Sequence, residues 1–555
     1  MAQQHLDRLT ATDASFLHQE GRSSHMHIGG VVVFDGPPPT FEDFLAHVSS
    51  RLHLVPRYRQ KLAYPPFDLS RPLWIDDTCF NIEYHVRNTA LPAPGSEAQL
   101  LQMAGRIASH PLDRNKPLWE LWMVEGIKPA APGEPPRFAL ISKTHHALVD
   151  GISGVDLATV LLDLEPHPGP PSSGKSIEKW RPQREPSSAD LVVAGVRDAA
   201  QTVTGLASRL IRAAVTPATT TAAVRDAIEG VGDLAWAILN PAPSTPLNVE
   251  IGPHRRYAVV RQQLADFKAI KDAFGGTVND VVLTVVSGAL RGWLQGRGIR
   301  TEGVELRALV PVSVRTRDQR HTLGNQLTLM RGPLPVYVED PVACLGIVSD
   351  AMKDLKESKQ AIGAATIAAV NNLAPPTILA QASRLQFSTR LFNLLVTNIP
   401  GPQFPLYVLG RRLVDLFPLA FLPEHQALSI AIMSYNGRIE FGLLGDYDAL
   451  PDIEVIADGI ARTTHALLAA AHAERGRGID VERAAAFKPE PAPAPTPALA
   501  AEPASAPTAA SDPVPHLDGA AEAPEPGHAP SPLIPSGPIP LGGPAAQMRA
   551  RRRGQ

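Results

Sequence analysis

The chain has 555 residues, of which 44% are hydrophobic and 19% charged, enough for one large domain or two ordinary domains with full cores. Its formal charge of −3 lacks the excess of basic residues on which binding to a phosphate backbone depends, so no nucleic-acid partner is expected. Two cysteines, Cys79 and Cys344, exclude a disulfide framework or a CxxC metal site and are typical of a reducing compartment.

The first 165 residues show the signals of an α/β domain. Predicted strands have β-branched or alternating apolar residues, and predicted helices have apolar residues at helical spacing. The strands are Val31–Phe34, Leu118–Val124 and Phe138–Thr144, and the helices are Thr40–Leu54, capped by Thr40, and a segment that begins near Ile152. A Pro/Gly/Ser-rich stretch from Glu165 to Ser176 ends this domain.

Residues 166–245 are predicted to be a Pro-rich linker with connecting helices, and residues 246–475 a second α/β domain. Asn436–Gly437 lies between two predicted strands and is the strongest hairpin signal in the chain. The predicted strands of this domain are Tyr257–Arg261, Leu306–Val312, Leu428–Tyr435 and Arg438–Gly445.

Residues 476–555 are predicted to be a disordered Pro/Ala-rich tail. Of the 55 prolines, 17 lie in residues 484–555, which offer too little apolar surface to offset the entropy of ordering. No segment has the pattern of a signal peptide or of a transmembrane helix. The uncharged stretch Ala361–Ser383 favours a buried helix and turn over a segment that dips into a bilayer interface, because Ala and Gly dominate it.

The most informative segment is Lys143-Thr-His-His-Ala-Leu-Val-Asp-Gly151, between a predicted strand and a predicted helix. Neighbouring side chains of a strand point to opposite faces, so one histidine is expected to face the core and the other a cleft. Asp150 falls where the chain turns, and its carboxylate can pair with a buried arginine and hold the loop. Gly151 permits a tight backbone turn.

Three interpretations of this segment compete. In the first, His145 is a hydrogen-bonded core histidine, Asp150 a turn residue and His146 incidental. A zinc site is disfavoured because HExxH is absent and no nearby Cys or Glu completes a tetrahedral set, so no metal is expected. The third is favoured: an imidazole that titrates near neutrality removes a proton from a hydroxyl and returns it to a leaving thiol.

The segment HHALVDG resembles the HHxxxDG motif of acyltransferases with the chloramphenicol-acetyltransferase-like fold. From the N-terminus to about residue 475, the chain resembles the bacterial wax ester synthase/acyl-CoA:diacylglycerol acyltransferase (WS/DGAT) family. The order and spacing of several short motifs make the resemblance specific. They are Leu6–Thr10, Asp13–Leu17, Pro111–Arg114, Pro117–Glu120, Thr245–Asn248, Val278–Leu283, Pro311–Arg315, Gly324–Asn325 and Thr397–Pro402.

The resemblance implies an α/β fold of two chloramphenicol-acetyltransferase-like domains around a central substrate tunnel. It implies that His146 is the general base with His145 in support, and that Asp150 and Gly151 are structural members of the motif. It also places Asn279 at the site as a substrate-binding residue, with Asp280 helping to hold it. The residues alone leave open a helix cap at this pair, with Thr277 or Asn279 as the capping residue.

The reaction implied by the resemblance moves a long-chain acyl group from acyl-CoA to the hydroxyl of diacylglycerol. It needs no cofactor and no acyl-enzyme, and the GxSxG nucleophile motif is absent. Asn279 or the backbone amides after His146 are candidate oxyanion donors. The alternatives are wax ester synthesis from long-chain alcohols and a catalytically silent lipid-binding protein. Lipid substrates predict a cytoplasmic protein peripherally attached to the inner membrane or lipid inclusions, and a homodimer is left open.

Overall fold

The computed structural model describes residues 7–66, 70–149, 160–167, 180–197, 240–313, 327–357 and 391–486. The strands are β1 (Asp7–Arg8), β2 (His27–Phe34), β3 (Gln60–Ala63), β4 (Leu73–Asp76), β5 (Val86–Ala90), β6 (Trp119–Ile127), β7 (Arg137–His145), β8 (Arg255–Gln263), β9 (Leu306–Ser313), β10 (Leu327–Leu334), β11 (Leu394–Pro400), β12 (Tyr407–Val408), β13 (Arg411–Leu419), β14 (Leu428–Tyr435) and β15 (Arg438–Asp446). The helices are α1 (Ala11–Gln19), α2 (Phe41–Arg51), α3 (Ile82–His85), α4 (Glu97–Ser109), α5 (Leu264–Phe274), α6 (Val278–Gly296), α7 (Pro341–Glu357) and α8 (Ile453–Ala486).

All the strands predicted from sequence are present, and most are a few residues longer than their apolar runs. Ladder hydrogen bonds continue past the apolar run wherever a neighbouring strand offers partners. Within the predicted linker with connecting helices, the structure describes one helix, at residues 188–197. The helix predicted from Ile152, the stretch Ala361–Ser383 and residues 487–555 of the predicted tail lie outside the described residues. The prediction of disorder from residue 476 is wrong for residues 476–486, which continue helix α8.

Two six-stranded sheets make up most of the fold. The first has the order β12-β13-β2-β7-β6-β5, and the second the order β10-β9-β11-β14-β15-β8. Helices α5, α6, α7 and α8 pack with the second sheet around a large apolar core. The predicted hairpin is confirmed: β14 and β15 pair antiparallel, and Asn436 (φ 43°) and Gly437 (φ 85°) take the left-handed geometry of a two-residue turn.

Strand β13 joins the two halves of the chain. The sequence-based boundary places it in the second domain, but it pairs antiparallel with β2 in the first sheet. Two glycines within β2 allow close approach on both sides: a Cβ on Gly30 would meet the Phe417 carbonyl of β13 at 2.8 Å, and one on Gly29 the Ser142 carbonyl of β7 at 1.9 Å. The first sheet is therefore completed by two strands from the second half of the sequence, β13 and the short β12.

None of the helices in the described ranges is by itself long and apolar enough to span a membrane. Helices α5 and α6 pass such a test only as a pair, with a bend of 99° between them.

Candidate active site

The two histidines of the HHxxxDG segment stand where β7 ends. The backbone N–H of His145 donates to the Leu118 carbonyl (2.9 Å), and that of His146 donates to the Met26 carbonyl (2.8 Å). Neighbouring strands on both sides therefore fix the two residues. Their rings have different surroundings, as the alternation of a strand requires.

His145 is a core residue, 1% exposed. Its Nδ1 accepts the backbone N–H of Ala147 (3.0 Å), which leaves the proton of the neutral ring on Nε2. That Nε2 lies 3.4 Å from Glu20 Oε1, a close contact whose alignment is too poor for a good hydrogen bond. His145 therefore connects a buried carboxylate to the backbone turn that carries His146.

Glu20 is held by Arg114, whose Nε donates to Glu20 Oε2 (2.9 Å) and whose Nη2 donates to the Leu17 carbonyl (3.2 Å). Burial raises the pKa of Glu20, but the contact with His145 and the charge of Arg114 outweigh it and lower the pKa to about 2. A second buried histidine, His27, lies 3.8 Å from Glu20 through its Nε2. Burial and the charge of nearby Lys143 lower its pKa well below the usual value.

The imidazole of His146 lies between two aromatic rings. Phe16 from α1 stacks on it with 4.0 Å between ring centroids, and Phe421, just after β13, approaches edge-on at 5.9 Å. Burial, reinforced by neighbouring His145, lowers the pKa of His146 to about 4. The ring is therefore neutral at pH 7. Its Nδ1 is buried and makes no well-aligned hydrogen bond with any residue in the described ranges.

An apolar wall begins at these rings and draws on both halves of the chain. The first half supplies Met26, with Phe16 and Ile28 packed against it, and the second half supplies the rest. The residues of the second half are Leu309, Leu391, Phe392, Leu395, Ala420, Phe421 and Ala431. Its members are buried against one another, so this wall is a packed apolar core that both halves of the chain share beside the imidazole.

The backbone turn after His146 is internally hydrogen-bonded. The N–H of Ala147 is used by His145 Nδ1, and the N–H of Leu148 donates to the His145 carbonyl (2.9 Å). In this conformation neither amide is free to bind an oxyanion, which removes both from the donors expected from sequence. Asp150 and Gly151 lie outside the described residues.

The pair Asn279–Asp280 lies in the first turn of α6. Thr277 caps the helix: its side chain accepts from the Asp280 N–H (3.3 Å), and Asp280 Oδ2 accepts from the Thr277 N–H (2.8 Å). This reciprocal cap is one of the two roles that the sequence left open. Asn279 is half-buried, and no hydrogen bond in the described part of the chain joins it to His146.

Four residues around the histidines, Phe16, Glu20, Arg114 and Phe421, had no role predicted from the sequence. For Phe16 and Arg114, the signal was their place in the segments Asp13–Leu17 and Pro111–Arg114. Glu20 and Phe421 had no local signal, because long-range packing brings them to the histidines. Among the described residues no cluster of His, Cys, Asp or Glu could hold a metal ion.

Comparison with known proteins agrees with this arrangement. The model of the wax ester synthase/diacylglycerol acyltransferase catalytic domain matches residues 9–282, and the model of the WS/DGAT C-terminal domain matches residues 323–467. The chain belongs to the WS/DGAT family. It is therefore an acyltransferase with the two-domain chloramphenicol-acetyltransferase-like fold that its motifs implied.

The alignments with individual relatives cover most of this chain and nearly all of each relative. A Mycobacterium tuberculosis H37Rv protein named as probable diacylglycerol O-acyltransferase tgs1 is 33% identical over 472 residues, 84% of this chain and 96% of the relative. Another, tgs2, is 32% identical over 455 residues, 81% of this chain and 96% of the relative. The solved wax ester synthase/diacylglycerol acyltransferase of Marinobacter aquaeolei VT8 superposes with a TM-score of 0.57 at 28% identity, covering 84% of this chain and 100% of that one.

Proposed function

We propose that this acyltransferase moves a long-chain acyl group from acyl-CoA to the free hydroxyl of diacylglycerol, with His146 as the general base. One observation carries the proposal: a neutral, ring-enclosed imidazole stands at the start of an apolar wall built by both halves of the chain. The names of the mycobacterial relatives support diacylglycerol as the acceptor.

In the proposed reaction both substrates bind before chemistry begins. His146 removes the hydroxyl proton as the oxygen attacks the thioester carbonyl, so that a carbon–oxygen bond forms and the carbonyl oxygen becomes an oxyanion. Collapse of this intermediate breaks the carbon–sulfur bond. His146 then gives its proton to the CoA thiolate, and triacylglycerol and CoA leave without an acyl-enzyme.

The surroundings of His146 favour this role in one respect and limit it in another. A pKa of about 4 keeps the lone pair free at pH 7, but it also makes the ring a weak base. The oxyanion that forms beside the ring would stabilise the imidazolium, because opposite charges attract strongly where water is excluded. General-base catalysis typically contributes about 10²–10⁴-fold, and alignment of the two substrates up to roughly 7–11 kcal/mol.

Asn279 remains the side chain that we propose as an oxyanion donor or substrate contact. The N–H groups of Ala147 and Leu148 are already used. Long-chain alcohols are the alternative acceptors, since the name of the Marinobacter relative includes wax ester synthase. Discrimination between two hydroxyls on long apolar bodies is shallow when apolar contacts dominate.

The test is CoA release from palmitoyl-CoA, measured with a thiol reagent, in the presence of diacylglycerol, hexadecanol or no acceptor. Wild type should release CoA only with an acceptor, and His146→Ala should be at least about a hundredfold slower while folding normally. His53→Ala, at an exposed histidine, is the matched control and should keep full activity. Near-normal release by folded His146→Ala would refute the general base, and a wild type inactive with both acceptors would refute the reaction.

A further inference from the structure

Helix α1 carries side chains that contact both histidines of the motif. Phe16 stacks on His146 with 4.0 Å between ring centroids, and the carboxylate of Glu20, which caps the C-terminus of the helix, lies 3.4 Å from His145. At the other end of the helix, the Thr10 side chain caps the first turn. The last turn of α1 is therefore fixed beside the two histidines.

Gln19 lies in this last turn. Each α-helical residue rotates the chain by about 100° and advances it by about 1.5 Å, so Gln19 lies roughly 60° around the helix from Phe16 and ~4.5 Å further along it. It is roughly 140–160° around the helix from Ala14 and Leu17, which pack in the separate apolar core of the first half. Since helical side chains lean towards the N-terminus of their helix, Gln19 extends on the side of Phe16 and away from that core.

The side-chain amide of Gln19 is buried but makes no hydrogen bond. The residue is only 8% exposed, and neither its Oε1 nor its Nε2 has a partner in the described part of the chain. Buried amides are nearly always hydrogen-bonded, because removing such a group from water without a partner costs free energy. The wall against which Phe16 packs is apolar and offers no side-chain donor or acceptor. The amide is therefore left for a polar group that the folded chain does not supply.

The acceptor substrate brings such a group to this place. In the proposed reaction its hydroxyl lies at His146, and in diacylglycerol the glycerol carbons close to that hydroxyl carry ester groups whose carbonyl oxygens accept hydrogen bonds. A long-chain alcohol has no polar group besides the hydroxyl, which already pairs with the imidazole. The Nε2 of Gln19, an uncharged donor one helical turn from the ring that stacks on His146, matches an ester carbonyl.

We propose that Gln19 is a specificity-determining residue, which donates from Nε2 to an ester carbonyl of the acceptor and so selects acylglycerols over long-chain alcohols. The inference rests on the proposed function, because it requires that the acceptor hydroxyl reacts at His146. Apolar contacts alone discriminate weakly between two hydroxyls on long apolar bodies. The amide adds discrimination because it stays unpaired when an alcohol is bound and is paired when an acylglycerol is bound.

The test compares CoA release with dioctanoylglycerol and with its ether analogue dioctylglycerol, which has the same hydroxyl but no ester carbonyl. With wild type, kcat/KM should be about fivefold lower for the ether. Gln19→Met keeps an unbranched side chain but removes the amide, so it should lower kcat/KM for the ester about fivefold and change that for the ether or hexadecanol little. Because both changes remove the same hydrogen bond, their effects should not add. Additive effects, or an equal loss with hexadecanol, would overturn the proposal.

The matched control is Gln60→Met. The Nε2 of Gln60 donates to Asp76 (3.2 Å) within the folded chain, so this variant should lose some stability but keep the wild-type ratio of ester to ether activity. Gln19→Met should unfold in urea at a midpoint no lower than that of wild type, because it removes no hydrogen bond of the folded chain. A clearly lower midpoint would mean that the folded protein itself pairs the amide, and it would overturn the proposal.

A binding measurement separates this inference from the proposed function, because it needs no turnover. Dioctanoylglycerol should raise the thermal midpoint of wild type more than dioctylglycerol does, and the difference should disappear in Gln19→Met. A wild type that shows this difference but releases no CoA would overturn the proposed reaction and support the contact with Gln19. Equal midpoint shifts for ester and ether in an active wild type would overturn the contact and leave the reaction in place.

Discussion

Replacing Glu20 by glutamine keeps the shape of a buried side chain but removes the charge that faces His145 and Arg114. Both partners remain, and Arg114 then donates to a neutral oxygen. His145 Nδ1 still accepts from the Ala147 N–H, but its Nε2 loses the negative charge of the carboxylate 3.4 Å away. Because this turn carries His146, the substitution should reduce both stability and turnover.

The size of the expected loss of stability follows from the pKa of Glu20, which is about 2 compared with an ordinary value of 4.5. At 1.36 kcal/mol for each pH unit, the native environment stabilises the charged form by about 3 kcal/mol. The native pKa lies below the unfolded one, so this stabilisation is complete above about pH 5 and is lost as the pH falls towards 2. Glu20→Gln should therefore be destabilised at pH 7 by about 2–3 kcal/mol and should approach wild type as the solution is acidified.

The assay compares urea unfolding midpoints of wild type and Glu20→Gln at several pH values between 7 and 3, together with kcat and KM. We expect kcat to fall roughly tenfold with little change in the KM for acyl-CoA, since displacement of a catalytic group reduces rate more than binding. Glu97→Gln, which removes an exposed partner of Arg261, is the control and should change the midpoint little. Equal midpoints for wild type and Glu20→Gln at pH 7, with equal kcat, would refute the reasoning.

Three further predictions concern the site and its support. Phe16→Ser should admit water to the ring of His146 and raise the pKa of this histidine from about 4. The acid limb of the pH profile of kcat/KM should therefore move to higher pH, and an unchanged acid limb would contradict the view that Phe16 keeps water away from the ring. His145→Ala should lower the thermal midpoint, because it removes a buried ring and leaves a backbone N–H unpaired; a folded variant of normal stability would count against the core role. Asn248→Ala should destabilise the fold by about 1–3 kcal/mol in urea while kcat stays unchanged, since Asn248 Oδ1 accepts from the buried Asn393 (2.7 Å); a change in kcat alone would place it in the site instead.

The apolar periodicity predicted the strands that matter most for the site. β7 was expected at Phe138–Thr144 and extends from Arg137 to His145, and the Asn436–Gly437 turn was expected from two residues whose backbones tolerate left-handed geometry. Such features are local: alternation, turn residues and caps depend on a few neighbours in the chain. The histidine pair could also be identified from the sequence, because residue type and spacing define the motif.

Strand β13 could not be assigned from local pattern. Its pairing with β2 joins residues nearly four hundred positions apart, and no short-range signal distinguishes it from a strand of the second sheet. Phe16 and Phe421, the two rings that contact His146, are also about four hundred positions apart in the sequence. The enclosure that lowers the pKa of His146 is thus a property of the assembled sheets.

The sequence by itself determined the two α/β halves, the hairpin, the motif that carries His145 and His146, and through its motifs the WS/DGAT family. Only the tertiary structure decided that Glu20 and Arg114 support His145 and that Phe16 and Phe421 enclose His146. The physical reason is that residue identity sets which proton chemistry is possible. Burial and neighbouring charge, which depend on packing between distant segments, set the protonation state in which that chemistry starts.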